Sequence, residues 1–478
     1  MALSVNDIQN LYSQTSTYLS GVSNKYKESV KYYKGNNLIS RTGSLTSIEQ
    51  AKQQADDAKK DKRDPLRRAN NRVSSNFYQI MVDQEAGYLA TNDPTIDVGD
   101  DNLNQKIKAI LGDSLALTMQ NLIIDVSNAG VGWLHYWIND KGKFKYGIVT
   151  PEQVYPIYAD NLENEVVAVE RVYQVLNTDK NSPKNYNTVV EYWDDQTCTS
   201  YVVDDDATFS PYNQFDVVDV STNTTSGQGN VYNHGLGRVP FIKFRKNLYE
   251  KPELDKVKGT IDVYDKVYNG FANDLQDIQQ TLMILKGYGG TDLQTFMDAL
   301  REYKAINVDS DGDVSNMQIE IPVEARQTML EITKQKIFDE GQAIDPDKFM
   351  DNGALSGKAI KGLYAHLDLK ATMTEKNFRQ GLATLIRAIM QCLGVSDWET
   401  HNISQTWIKN AIQDELERAQ ALQALGPYMS EWSIARANPF VDDVDAELQH
   451  IADEKINADG YSNQNAIDKA ANGADSDE

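Results

Sequence analysis

Residues 349 to 364 read FMDNGALSGKAIKGLY, a run of glycines ahead of a lysine that has the outline of a phosphate-binding loop. Such a loop works because backbone N–H groups cradle the phosphates, the lysine reaches them and a Ser or Thr hydroxyl holds magnesium. It needs four residues between its first glycine and the Gly-Lys pair, and a buried strand before it. Gly353 and Gly357 enclose only Ala354, Leu355 and Ser356, and Ala359 stands where the hydroxyl belongs. The upstream segment ARQTMLEITKQKIFDEG has helical spacing, so the context is helix–loop–helix. A degenerate ATPase using Lys358 is left as the enzymatic alternative, against these three departures.

A second stretch, DSDGDVSNMQIE, places Asp309, Asp311, Asp313 and Glu320 at positions 1, 3, 5 and 12 of a calcium loop. The glycine that such a loop requires at position 6 is Val314, and strand-like residues follow where a helix is needed. A solvated hairpin turn fits better. His135, His234, His366, His401 and His450 never pair with another His or Cys at zinc spacing. Cys198 and Cys392 lie far apart, in contexts that mark neither a disulfide framework nor a nucleophile. No G-x-S-x-G elbow occurs, and the expectation is a protein that is not an enzyme and takes no cofactor and no metal.

What elements carry these residues? The first 60 or so residues are helical in character, and Val73, Phe77, Ile80 and Met81 begin a stripe expected to run as helix to Tyr88. A further helix is expected over residues 104–128. From Gly130 to Lys246 the period changes to that of strands: two runs about an Asp140-Lys141-Gly142 turn, then EVVAVERVYQVL, NTVVEYWDD and TSYVVDDDATF. The aromatic residues of this β-rich module read as sheet packing.

Helix returns after Pro252. Leu254, Val257, Ile261, Tyr264, Tyr268, Phe271, Leu275 and Ile278 follow 3-4-3-4-3-4-3 spacing, an a/d seam along about 37 Å of helix. The other face carries Asp255, Asp262, Asn269 and Gln276. Such a seam suits packing on the chain's own core, or the side-by-side packing of helices in an assembly. A small α/β insertion follows, with strands expected at Leu282–Leu285, Ala305–Val308 and Met317–Ile321. A helix to about Gly341, a loop over Gln342–Ser356, a long helix to Leu393 and a helical segment from Ser404 to about Lys455 complete the chain.

The formal net charge of −23 over 478 residues argues against tight, sequence-reading nucleic-acid binding, which calls for a basic domain. It leaves open a protein that surrounds DNA without adhering to it. No apolar run approaches the roughly 20 residues of a membrane span, and no membrane partner is expected. The start, MALSVNDIQNLYSQ, lacks the basic flank and apolar core of a secretion signal, and a reducing compartment is the simplest setting.

Five segments, NNRVSSNFYQIMVDQEAGYLATNDPTI, HGLGRVPFIKFRKN, IDVYDKVYNGFANDLQDIQQTLMILKGY, LSGKAIKGLYAHLDLKA and PFVDDVDAELQHI, resemble in kind and order those of tailed-phage portal proteins. The similarity is to the SPP1-like portal family of phages of Gram-positive bacteria, and it covers about Tyr32 to Lys455. It implies an α+β fold, mainly helical, in which residues 1–250 form a wing that includes the β-rich module of about 130–246. Residues 251–279 and 323–341 would be two stem helices, with a small α/β clip at 280–322 between them. A tunnel loop would follow at 342–356, a long wing helix at 357–394, and a crown with an acidic tail at 395–478.

By the same resemblance the tunnel loop would face double-stranded DNA through Asp345, Asp347, Lys348, Met350, Asp351, Asn352 and Gly353. The clip would dock partners through Lys286, Tyr288, Asp309, Asp311 and Asp313. The family implies a homo-oligomeric ring of about twelve copies at one capsid vertex, the channel for genome packaging and ejection. Its partners would be the terminase large subunit, a head-completion or adaptor protein, and scaffolding and major capsid proteins, with assembly in the host cytoplasm. Twelve copies would carry 12 × −23 = −276 formal charges, a lumen to which a duplex adheres weakly. Another phage head or tail structural protein is the alternative within that class, though it has no need of a clip between two seam-bearing helices.

Overall fold

The computed structural model describes residues 5–41, 69–162, 165–177, 185–204, 206–219, 224–277, 282–286, 313–317, 322–350, 357–410, 420, 422–438, 441, 444 and 446–455. Two compact units emerge, one made of Met1–Asp345 with His366–Asn410, the other of Pro346–Ala365 with Ala411–Glu478.

The first unit opens with α1 (Val5–Tyr33) and the short α2 (Leu38–Arg41). Residues 69–76 are not helical, and Val73 is half exposed instead of extending the expected stripe. The physical reason is the composition of NNRVSSN: Asn and Ser side chains compete with helix by bonding locally or to partners, and here the backbone is captured from outside, as described below. Helix α3 (Phe77–Leu89) starts only where apolar residues take over, and β1 (Thr95–Asp97) follows. The single helix expected over 104–128 is two, α4 (Asp101–Leu111) and α5 (Leu115–Ala129), bent by 62° at Gly112-Asp113-Ser114. Asp100 caps α4 by accepting from the Leu103 N–H. Among the described residues no single helix is long and apolar enough to cross a membrane.

Glycine is required where α5 ends. Gly130 has φ +84, and a Cβ there would lie 2.1 Å from the Glu250 carbonyl oxygen. The chain then enters sheet, with the hairpin about Asp140-Lys141-Gly142 formed by β2 (Val131–Ile138) and β3 (Phe144–Val149). Next come β4 (Val154–Tyr158), β5 (Val166–Leu176), β6 (Tyr186–Trp193), β7 (Thr197–Val203), β8 (Phe209–Pro211), β9 (Phe215–Asp219), β10 (Thr224–Gly229), β11 (Val231–Asn233) and β12 (Phe241–Arg245). They form an antiparallel six-stranded sheet in the order β11-β7-β6-β5-β4 with β8 on β7, a three-stranded sheet β12-β2-β3, and the ribbon β9-β10. Helix α1 covers one face of the larger sheet, where Ile8 and Tyr12 pack with Val190, Tyr201, Val203 and Phe209.

Next come α6 (Leu254–Asp277), then the strands β13 (Leu282–Lys286) and β14 (Asp313–Met317), then α7 (Val323–Glu340). The two strands pair antiparallel from Leu282↔Met317 to Lys286↔Asp313. The expected strand at Ala305–Val308 and the end of the one at Met317–Ile321 lie outside the described residues. The short α8 (Asp347–Met350) and the long α9 (Gly357–Cys392) follow, α9 running through both units. Its Phe378, Leu382 and Ile386 join Leu122, Ile123 and Val126 of α5 and Phe244 of β12 in the main core.

Ser404 was expected to open a helix, but Ser404–Thr406 is a strand, β15, paired antiparallel with β1. The reason lies in tertiary contacts: the Gln405 amide donates to the Arg379 carbonyl at 2.9 Å and Trp407 is buried in the main core, which hold this stretch extended. In the second unit α10 (Glu431–Ala437) is capped by Ser430, whose hydroxyl accepts from the Ser433 N–H, and Lys455 pairs with Glu431.

Candidate functional site

Helices α6 and α7 run antiparallel. Thr260 of α6 donates to Glu340 at the end of α7 at 3.0 Å, and 14 residues later Asp274 meets Arg326 near its start. That separation, 274 − 260 against 340 − 326, is about 21 Å of contact at 1.5 Å per residue. Of the expected seam, Leu254, Val257 and Ile261 are buried with Tyr32, Tyr78, Met81 and Ile337. Tyr264 and Phe271 are half-buried, with Tyr264 edge-on to Phe77 at 4.8 Å and Phe271 under the Arg326 guanidinium at 5.6 Å. Tyr268 and Leu275 face outward, and Ile278 lies outside the described residues.

The polar side of α6 is more occupied than its composition suggests. Asn273 accepts from the Asn71 N–H at 2.7 Å, and Asn269 both accepts from the Val73 N–H at 2.7 Å and donates to the Val73 carbonyl at 2.8 Å. Asp265 accepts from the Ser75 N–H at 3.0 Å and from the Asn37 amide at 2.6 Å. The pattern is geometric: four residues of helix rise about 6 Å, and two residues of extended chain span about 6.6 Å. Side chains at 265, 269 and 273 therefore meet residues 75, 73 and 71 in antiparallel order, as a neighbouring strand would.

Around the start of α6 sits a square of buried charge that the sequence reading missed. Glu85 of α3, Lys246 just after β12, Glu253 just before α6 and Lys370 of α9 are all buried. Lys370 lies 3.3 Å from Glu85 and 3.2 Å from Glu253; Lys246 lies 3.2 Å from Glu253 and pairs closely with Glu85. Each ammonium thus sees both carboxylates, and the four formal charges cancel. Further contacts come from Thr374, which donates to Glu85 at 2.7 Å, from Ser127 at 3.1 Å from Lys246, and from the Gly341 carbonyl at 3.2 Å from Lys370. Burial alone would raise the Glu85 carboxyl, but Lys246 and Lys370 outweigh it and hold it well below the ordinary carboxylate range. Burial likewise pulls the Lys370 ammonium down, and Glu253 and Glu85 more than reverse it. The signal was present in the sequence: Glu85 occupies the apolar stripe of Met81, Val82 and Leu89, and Lys370 that of Leu367, Ala371 and Phe378.

Of the residues expected to face DNA, Asp345 is paired with Lys334 at 3.3 Å at the foot of the loop. Asp347, Lys348 and Met350 lie on α8, in the second unit. Asp351, Asn352 and Gly353 are outside the described residues. Of the clip set, Lys286 and Asp313 are opposite each other across the β13–β14 ladder, and Tyr288, Asp309 and Asp311 are outside the described residues. The segment before Gly357 that a phosphate-binding loop would require as strand is the helix α7. Among the described residues no three His, Cys, Asp or Glu side chains converge as metal ligands. His135 is a core residue stacked on Phe241 and Trp137, its imidazole pushed down to about 4 by burial. A cleft of about 1350 Å³ opens beside β12, lined among others by Arg238, Lys243, Arg245, Glu250 and Glu399, and by none of the expected site residues.

Comparison with known proteins places this geometry in context. Residues 23–461 match the family described as phage portal protein, SPP1 Gp6-like. The portal protein of Clostridium phage phiCD119 is 37% identical over 420 residues, covering 84% of this chain and 89% of that protein. The portal protein of Bacillus phage SPP1 is 27% identical over 434 residues, covering 89% of this chain and 82% of that protein. Among solved structures, the neck of an empty GTA particle computed with C6 symmetry aligns at a TM-score of 0.39 and 11% identity, covering 78% of this chain and 90% of that one.

Proposed function

This chain belongs to the phage portal protein family of the SPP1 Gp6-like type, and on that premise we propose that it forms a ring of about twelve copies at one capsid vertex. The ring is the channel through which double-stranded DNA is packaged and ejected. The family is a structural one, so the work of packaging falls to a separate motor, the terminase large subunit, which docks on the clip. Head-completion, scaffolding and major capsid proteins are the other partners of the vertex.

The observation that supports the ring is the pattern of exposure along α6 and α7. Val263, Tyr268 and Leu275 on α6, and Val323, Met329 and Ile332 on α7, are between 42% and 58% exposed. These six apolar side chains on one antiparallel helix pair are area that neighbouring copies would cover, and each gains about 25 cal/mol per Å² removed from water. The inner seam residues Leu254, Val257 and Ile261 are already used within the subunit, so the outer set is what is left for neighbours. The net charge of −23 per copy keeps phosphate contacts few, as a sliding duplex requires. Lys348 in the loop region gives one cation per subunit and so a ring of weak phosphate contacts.

Native mass spectrometry with negative-stain class averages tests this reading. The expected result is a closed ring of about twelve subunits with an axial hole of about 20 Å, the width of a duplex. Charged substitutions at Tyr268 and Ile332 should break it into smaller species. A protein that stays monomeric under every condition, including with scaffolding and capsid proteins present, overturns the reading in favour of a different head or tail component.

A further inference from the structure

Between the last residue of α7 and Pro346 lie five residues, Gly341 to Asp345, that every path from stem to loop must use. Their backbone is tightly specified. Gly341 closes the helix with its N–H donated to Ile337 at 2.9 Å, and a Cβ there would lie 2.0 Å from the Met81 sulfur. Because glycine is spent on that close approach, the left-handed position falls to Gln342, at φ +51, a conformation that side chains disfavour. The Ala343 N–H returns to the Phe338 carbonyl at 3.0 Å, as in a helix-ending Schellman turn.

Two side chains from elsewhere in the chain then take hold. The Gln84 amide donates to the Ile344 carbonyl at 2.8 Å and accepts from the Ile344 N–H at 2.9 Å, so one side chain satisfies both backbone groups of one residue. The Lys370 ammonium donates to the Gly341 carbonyl at 3.2 Å while paired with Glu85 and Glu253. Gln84 and Glu85 are consecutive on α3, and Lys370 is on α9, so neither hold comes from the helix that leads into the segment.

We propose that Gln84 and Lys370 are positioning residues that fix Gly341–Asp345, so that the conformation of this turn is set by α3 and α9 and not by α7 alone. The consequence for DNA rests on the reading of that loop as facing the channel; the hold itself does not. Releasing Gln84 lets Gln342 leave its left-handed conformation, and the direction in which the chain departs toward Pro346 changes with it. A Lys370 variant disturbs the buried square as well, so Gln84, only partly buried, is the cleaner handle.

Amide hydrogen exchange on the full-length assembled protein tests this. Gln84→Met keeps the volume and removes both bonds; Gln84→Asn keeps the amide but shortens its reach. Both should raise exchange in peptides spanning 342–346 at least tenfold, with exchange in β5 to β7 unchanged. Unchanged exchange at 342–346 in both variants overturns the proposal, since a side chain that merely packs would be replaced by Met without effect. The same variants are then taken into packaging and ejection assays. Raised exchange with a changed yield of DNA-filled heads, or a changed ejection rate, supports both the hold and the loop's role. Raised exchange with normal DNA handling keeps the hold and removes the channel-facing reading of the loop.

Discussion

Two carboxylates in this chain, Glu85 on α3 beside the start of α6 and Glu170 on β5 of the larger sheet, are both fully buried, and they are treated in opposite ways. Glu85 has two ammonium groups and a threonine hydroxyl. Glu170, on β5 beneath α1, has no hydrogen-bond partner on either oxygen among the described residues. Its cross-strand neighbours are Tyr155 and Tyr192, and from α1 the Thr15 hydroxyl turns its proton to the Tyr12 carbonyl at 3.0 Å. Burial therefore pushes the Glu170 carboxyl up to about 7, against a small lowering influence of Thr15. On the other face of the same sheet Glu191 is served by Tyr173 at 2.7 Å and by the Trp193 indole at 3.0 Å, so the sheet is capable of satisfying a buried acid. The lesson is that the start of α6 is anchored by matched charges, whereas the contact of α1 with the sheet holds a group whose charge is unwelcome.

The largest test of this contrast removes one corner of the square. Lys370→Met leaves two carboxylates facing one ammonium, and should destabilise the fold by about 3–5 kcal/mol in denaturant unfolding at neutral pH. A loss below about 1 kcal/mol would mean that water reaches the site. The pH dependence has a definite sign. The Glu85 carboxyl is lowered in the fold, so its contribution is complete above the ordinary carboxylate value of 4.5 and is lost as the pH falls below it.

Glu170 should behave in reverse. With a folded value of about 7 against 4.5, ionisation costs up to (7 − 4.5) × 1.36, or about 3 kcal/mol, fully felt above pH 7 and absent below about pH 4.5. Glu170→Met should therefore stabilise the contact of α1 with the sheet by about that amount at pH 8 and by progressively less toward pH 5. Hydrogen exchange in α1 reads it directly, and a pH-independent difference would show that the carboxyl finds a partner.

Smaller effects sharpen the same distinction between satisfied and unsatisfied groups. Asn269→Ala strips both hydrogen bonds from Val73 and should cost about 1–2 kcal/mol, with proteolysis near residues 69–76 rising first. At the foot of the loop, Gln342→Gly removes the side chain from a left-handed residue and should raise thermal stability by about 0.5–1 kcal/mol. The neighbouring Gly341→Ala should do the opposite, because of Met81.

Much of the architecture was legible in the residues. The hairpin about Asp140-Lys141-Gly142, the change from helix to strand period at Gly130, the paired helices after Pro252 and Pro322 and the long helix from Gly357 all follow from periodicity and turn chemistry. The segments that misled were those whose conformation is set from a distance. Residues 69–76 carry an apolar residue at helical spacing, yet Asp265, Asn269 and Asn273 of α6 capture their backbone and hold them out of helix. Ser404–Thr406 has no strand-like pattern, and becomes a strand because β1 offers an edge. Of the seam, the period told which residues share a face of α6, but not that its first half turns into the core while Tyr268 and Leu275 stay outside.

The sequence by itself therefore determined most of the elements and their order, because period, capping and turn residues act within a few positions, and the resemblance of five of its segments pointed to the family. Only the tertiary structure decided that Glu85, Lys246, Glu253 and Lys370 form one neutral square, that both Glu170 oxygens lack a hydrogen-bond partner among the described residues, and that an amide on α3 grips the chain leaving α7. A charge on an apolar stripe announces that a partner is needed. Which residue supplies it, from positions 161 or 285 places further along the chain, is a matter of which helices cross, as the separations 246 − 85 and 370 − 85 show.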